Sequence, residues 1–244
     1  MMEKEISTYF VDNKLVEFNL KTSESIIFIN QISSSKGASG IKKGVLLVNI
    51  GGTNEVIKYI ISNNYTNENL IQNIHRECRI INLITINCKH VVKYLACDFK
   101  YNDNKDLIIL IRMEYIPGKP LDLFLKEIKK QGFKEQLASY ILQQGLEALV
   151  CLHSNKLVNK NINPKNIIVR NIEPFNIVIT NFDISCTVKY NNDTDCTSND
   201  RDLGEYIPKS RLLELFINNW YKYDIYSLGR VIIYCLGGNS LPKY

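Results

Sequence analysis

Long hydrophobic runs are missing from this 244-residue sequence. No apolar stretch approaches the roughly 18–20 residues that cross a bilayer, so no membrane role is expected. The opening MMEKEISTYF is charged and polar with no signal-peptide core behind it. Arginine is scarce at 7 against 23 lysines, and no dense basic stripe appears. The net charge of +5 therefore gives no argument for nucleic acid. Seven cysteines (78, 88, 97, 151, 186, 196 and 235) form no C-x-x-C, and none falls at metal-ligand spacing from His75, His90 or His153. The odd count is expected to mean reduced thiols in an intracellular, cytoplasmic protein, without a zinc site.

What is present is ordinary globular composition, 45% hydrophobic and 23% charged, enough to bury a sizeable core without staples. Isoleucine (34) and asparagine (28) are both heavily used. β-Branched, apolar runs at 25–32 and 43–50 predict two strands. A turn at 51–54 follows, then a third strand at 55–61. The period then changes: Leu70, Ile71, Ile74, Cys78, Ile81 and Ile84 recur at helical spacing between 67 and 86. Strands at about 91–99 and 106–114 complete a first half of five strands and one helix. The second half is mainly helical. Helices are predicted at 121–130 after a Pro117-Gly118 break, at 134–153 and at 223–236. Between them lie two short strands, from 166 and from 176, and a polar segment, 187–205, expected to be a mobile loop.

Several short motifs sit on this frame. Ser35-Lys36-Gly37-Ala38-Ser39-Gly40 joins the first two strands. Lys58 lies on the third strand in Val56-Ile57-Lys58, and Glu77 follows nineteen residues later on the helix. Met113-Glu114-Tyr115-Ile116-Pro117-Gly118 links the halves. Asn159-Lys160-Asn161-Ile162-Asn163-Pro164-Lys165-Asn166 precedes one short strand, Asn181-Phe182-Asp183 follows the next, and Asp224-Ile225-Tyr226-Ser227-Leu228-Gly229 opens the last helix.

In order and spacing these motifs resemble the eukaryotic-type serine/threonine protein kinase family, as a degenerate, C-terminally short member. The resemblance covers about residues 25–240. It implies one α+β, bilobal kinase-like domain over 1–244. Its N-lobe (about 15–113) would hold a five-stranded antiparallel sheet plus one helix. A hinge (about 114–118) would lead to a mainly helical, partial C-lobe (about 119–244) truncated after the central helix. It also implies nucleotide-binding roles. Gly37 and Gly40 would close over phosphates, where a backbone without Cβ presents its N–H groups. Lys58 would reach the α and β phosphates and pair with Glu77. Met113 would be the gatekeeper, with the backbone of Glu114 and Ile116 facing adenine, and Asn166 a neutral metal ligand.

The departures lie at the acids. Asn161 stands where the family has the aspartate that accepts the substrate proton. An amide oxygen has no useful basicity at neutral pH, and its nitrogen is a donor. Asn163 replaces the lysine that steadies the transferred phosphoryl group. Asn181 replaces the aspartate that holds Mg²⁺, a cation preferring hard, anionic oxygens. Asp183, where the family has glycine because the backbone turns sharply, is a candidate substitute ligand. Asn159 replaces a histidine that packs in a column with Phe182 and Ile81. Lys160 replaces an arginine, and lacks the planar fork that grips a phosphorylated activation loop. Ile207-Pro208-Lys209 carries lysine where the family has glutamate. Asp224 matches the aspartate that anchors the catalytic-loop backbone.

These readings imply a pseudokinase: a regulatory or binding module with weak ATP binding, no strong Mg²⁺ dependence, and a protein partner, an active kinase among the candidates. One alternative is an atypical active serine/threonine kinase using another carboxylate. The other is a nucleotide-free interaction protein, acting in host cytoplasm if it is a viral or bacterial effector.

Overall fold

The computed structural model describes residues 26–36, 41–62, 88–101, 106–128, 131–188, 196, 206 and 219–237. They fall into two compact units: one holds the described residues up to Ser62 together with Lys93–Tyr115, the other residues 88–92 and everything described from Ile116 onward. Among the described residues no helix is long and apolar enough to cross a membrane.

The first unit is an antiparallel sheet of β1 (Ile26–Lys36), β2 (Lys42–Ile50), β3 (Thr53–Ser62), β4 (Tyr94–Tyr101) and β5 (Leu107–Glu114), in the order β1-β2-β3-β5-β4. Alternation along each strand sends Leu46, Val48 and Ile50 of β2, Ile57 and Tyr59 of β3, and Ile108 and Leu110 of β5 into one buried cluster. Gly51 and Gly52 both have positive φ, and Ile50 pairs with Thr53. The β2–β3 connection is thus a two-residue hairpin loop. The predicted four-residue turn was too long, because Thr53 and Asn54 already belong to the ladder. Gly44 lies opposite Tyr59, and a Cβ there would come within 2.4–2.5 Å of the Tyr59 ring and hydroxyl. The absent side chain is what lets the ring lie across β2.

The second unit contains β6 (Lys119–Pro120), α1 (Leu121–Glu127), α2 (Gln131–Ser154), β7 (Leu157–Val158), β8 (Ile167–Ile172), β9 (Phe175–Ile179), β10 (Cys186–Thr187) and α3 (Tyr221–Cys235). β6, β8 and β9 form one small sheet, and β10 pairs with β7 in another. α2 packs on α3 at Gly145, where a Cβ would meet Leu228 at 2.7 Å. Gly118 is needed before β6: its φ is +151°, and a Cβ would lie 2.1 Å from the Val169 carbonyl oxygen.

Three expectations change. Val91 and Val92 do not begin β4. They join the second unit, Val91 bridging Ile179 in parallel and Val92 N–H donating to the Ile179 carbonyl at 3.0 Å. The segment after residue 186 opens as a strand rather than as loop; most of the rest of 187–205 lies outside the described residues. Nor are the cysteines reduced. Cys88 is bonded to Cys151, Cys186 to Cys196, and Cys97 is also in a disulfide. Cys235 is the free thiol among the described residues. Pairing over 63 residues, as in Cys88–Cys151, depends on tertiary proximity that spacing does not reveal.

Candidate functional site

On the sheet, Lys58 lies between Val45 of β2 and Ile111 of β5, on the face opposite the Leu46–Ile57–Tyr59 cluster. Met113, half-buried, lies between Val56 and Tyr94. Glu114 ends β5: its N–H donates to the Lys93 carbonyl at 3.0 Å, and its carboxylate accepts the Lys93 N–H at 2.8 Å. Ile116 is buried in the second unit. Gly37, Gly40, Glu77, Ile81 and Ile207-Pro208-Lys209 lie outside the described residues.

One feature of the sheet belongs to none of the sequence motifs. Glu55 and Arg112 form a forked ion pair on the same face as the apolar cluster, Arg112 Nη2 to Glu55 Oε1 being 2.8 Å, with Glu55 buried. A guanidinium fork satisfies both carboxylate oxygens at once, which is what permits a buried charge there. The signal in the sequence was weak: an acid and an arginine 57 residues apart on two strands.

The second unit brings together the asparagines. β7 leads into Asn159-Lys160-Asn161, and the backbone there is fixed from α3. Asp224, fully buried, accepts the Asn159 N–H at 2.9 Å and the Lys160 N–H at 2.8 Å. His153 Nε2 lies 3.0 Å from the same carboxylate. Lys160 has φ +63°, a conformation costly for a residue with a Cβ. The contact of its N–H with Asp224 holds it there. Its ammonium lies 5.5 Å above the Trp220 ring, within cation–π reach.

Asn163 then caps a short 3₁₀ turn, Pro164–Asn166, its Oδ1 accepting the Lys165 N–H at 3.0 Å. Pro164 occupies the first turn position, where no N–H is required. Asn163 Nδ2 donates to the backbone and side-chain oxygens of Asn161, at 3.0 and 3.1 Å. Asn166 Nδ2 donates to the Asn161 carbonyl at 2.9 Å. From the end of β9, the Thr180 N–H donates to the Asn166 carbonyl at 2.8 Å, which sets Asn181 beside the turn.

Asn181 has φ +62°, tolerable for asparagine. In one orientation of its amide Nδ2 donates weakly to Asn166 Oδ1 at 3.4 Å; the orientation that satisfies both ends points Nδ2 at Asp183, 2.5 Å from Oδ1 and 3.2 Å from Oδ2, and lets Oδ1 accept from Asn161 Nδ2 at 3.2 Å. The amides of Asn161 and Asn181 are therefore bonded to each other. Asn159 is buried, with Oδ1 accepting the Asn161 N–H at 2.8 Å while its Nδ2 has no acceptor. An orphaned buried donor typically costs about 1–3 kcal/mol. Phe182, next to Asn181, is buried as well.

This donor set fits Mg²⁺ poorly. Asp183 is one carboxylate, already facing an amide N–H, and Asn161, Asn163, Asn166 and Asn181 are neutral groups largely engaged with one another. Among the described residues no group of three or more His, Cys, Asp or Glu could hold a metal ion.

A family model described as protein kinase domain matches residues 44–243. The chain is 34% identical over 85 residues to the serine/threonine-protein kinase dst4 of Dictyostelium discoideum, covering 35% of this chain and 16% of that protein. It is 35% identical over 80 residues to the mitogen-activated protein kinase kinase kinase nsy-1 of Caenorhabditis elegans, covering 33% of this chain and 5% of that protein. It is 33% identical over 70 residues to the calcium/calmodulin-dependent protein kinase type 1 of Caenorhabditis briggsae, covering 29% of this chain and 19% of that protein. The aligned stretch is thus a small part of each relative. With a family match over most of its length, a five-stranded antiparallel sheet in its first unit and the Asn159-Lys160 backbone anchored on Asp224, the chain belongs to the protein kinase family.

Proposed function

We propose that this kinase-family domain is a pseudokinase, a regulatory or binding module that does not transfer the phosphoryl group at a useful rate. Kinases position their substrates, a basic residue and metal-bridged phosphates, and these carry most of the rate enhancement. The observation that carries the reading is the Asn161–Asn181 amide pair. An amide at position 161 takes no proton from a substrate hydroxyl, and loss of a positioned base costs about 10²- to 10⁴-fold. An amide at 181 leaves a magnesium triphosphate short of one anionic ligand. ATP would be held weakly by the backbone near Glu114 and by Lys58, and the protein would act through a protein partner, with an active kinase as one candidate.

The test is phosphoryl transfer from radiolabelled ATP to a generic protein substrate and to the chain itself, at high protein concentration. No signal above that of the Lys58→Ala variant is expected. A clear signal abolished by Lys58→Ala contradicts the proposal.

One specific observation favours a second reading, an atypical active serine/threonine kinase. Asp183 places a carboxylate beside Asn181. Mn²⁺- or Mg²⁺-dependent autophosphorylation that disappears in Asp183→Ala would establish it.

A further inference from the structure

β10 follows directly on the turn of Asn181–Ser185 and is only two residues long. It pairs antiparallel with β7, Cys186 opposite Val158 and Thr187 opposite Leu157, and the Val188 N–H donates to the Lys156 carbonyl at 2.8 Å. So short a ladder holds weakly by itself. A second tie is present. Cys186 is bonded to Cys196, with Cα atoms 5.0 Å apart, and both half-cystines are buried in a cluster with Val158, Trp220 and Tyr223. Cys196 is thereby returned onto β10 and joined to the apolar group that also receives α3. β7 runs straight into Asn159-Lys160-Asn161, so whatever holds β10 on β7 also fixes the spacing between the two turns that carry Asn161 and Asn181.

Position 160 offers no substitute tie. Lys160 is 1% exposed, and its ammonium lies over Trp220 of the same cluster. A point charge buried against an aromatic face lacks the exposed planar fork that grips a phosphate in two places.

We propose that the Cys186–Cys196 disulfide, rather than a phosphate gripped at position 160, holds the segment after Asn181-Phe182-Asp183 against β7, and that the domain is assembled and works with this bond formed. Placing the bond at a regulatory segment rests on the pseudokinase reading; the bond and its effect on β10 do not.

The bond forms by exchange with a low-molecular-weight disulfide. One cysteine thiolate attacks a sulfur of that reagent and expels a small thiolate, leaving a mixed disulfide. The second cysteine thiolate attacks the protein-bound sulfur and expels the other small thiolate. Two protein thiols are oxidised by two electrons, and one small disulfide is reduced to two small thiols, which take up the two protons released. Such bonds persist in oxidising compartments, contrary to the reduced cytoplasmic state expected from the odd cysteine count.

Two measurements test the proposal. The full chain, purified without reductant and quenched with a thiol-alkylating reagent, is digested and mapped. Cys186 and Cys196 are expected in one linked peptide pair. Amide hydrogen exchange is then compared between wild type, wild type in dithiothreitol, and Cys196→Ser. Exchange at Cys186–Val188 and Leu157–Asn161 is expected to rise about tenfold or more in the last two. Should Cys196→Ser fail to fold, the dithiothreitol series on wild type gives the same readout, with the Cys88→Ser and Cys97→Ser variants controlling for the other bonds. Recovery of Cys186 and Cys196 as alkylated thiols, or unchanged exchange on loss of the bond, overturns the proposal. Neither readout involves nucleotide or phosphoryl transfer, so a catalytically active chain would defeat the pseudokinase reading and leave the latch standing.

Discussion

In the orientation that satisfies both ends of the Asn181 amide, Asn161 Nδ2 donates to Asn181 Oδ1 at 3.2 Å, joining the turn after β7 to the turn after β9. Two carboxylates at that distance could not both ionise without a cation between them. The amides need no cation. The two asparagines thus act as a pair: each supplies the partner the other requires.

Asn181→Asp is expected to destabilise the domain in the absence of divalent cations. It places a carboxylate against Asp183, whose Oδ1 and Oδ2 lie 2.5 and 3.2 Å from the amide nitrogen, and removes the donor that now faces it. A loss of about 1–3 kcal/mol is expected in urea denaturation. Millimolar Mg²⁺ should restore part of it in the variant and change nothing in wild type.

Asp224→Ala should be among the most damaging changes in the second unit. It strands the buried N–H groups of Asn159 and Lys160 and removes the partner of His153. Loss of a buried, charge-assisted acceptor of this kind costs about 3–5 kcal/mol, read from the denaturation midpoint. Asp224→Asn keeps one acceptor oxygen and should fall in between.

Gly118→Ala sets a Cβ 2.1 Å from the Val169 carbonyl at a φ of +151°. The obstacle is backbone, so no rotamer change relieves it. A destabilisation of about 2 kcal/mol or more is expected, with faster hydrogen exchange in β6 and β8. Gly52→Ala is the control: it too has positive φ, but no atom lies within 4 Å of the added Cβ, so its cost should be smaller.

Burial pushes the Cys235 thiol from 9.0 up to about 12. The neutral form is the one the fold accommodates. Below pH 9 both folded and unfolded thiols are protonated and stability is unaffected. Above pH 9 the unfolded thiol ionises first, so stability falls by about 1.4 kcal/mol per pH unit until the folded value is reached. Stability measured between pH 8 and 11 for wild type and Cys235→Ala should therefore diverge in slope above pH 9. In the native state Cys235 should resist iodoacetamide at pH 8.

The sheet was largely legible because β2, β3 and β5 alternate apolar residues with a period of two, and the Glu114 end of β5 is marked by Pro117-Gly118. Asp224 was legible too, through the resemblance of Asp224-Ile225-Tyr226-Ser227-Leu228-Gly229 to the family motif whose aspartate holds a neighbouring backbone, and it accepts the Asn159 and Lys160 N–H groups. The disulfides were not. Cys186 and Cys196 meet because β10 folds onto β7, and nothing in a ten-residue spacing says so. Nor was the engagement of Asn161 with Asn181. Residue types showed what these positions could not do as acids, while their mutual bond depends on Thr180 docking on the Asn166 carbonyl. The placement of Val91 and Val92 was missed for a similar reason: a β-branched pair before β4 reads as strand, yet its hydrogen bonds go to Ile179.

The central claim is tested most directly by measuring phosphoryl transfer from radiolabelled ATP in Mg²⁺ for wild type and for the Asn161→Asp/Asn181→Asp double variant, alongside Lys58→Ala. Wild type is predicted to match Lys58→Ala at background, and the double variant to rise at least tenfold above both. Wild-type transfer that equals the double variant and vanishes in Lys58→Ala would contradict the claim that the two amides disable the site.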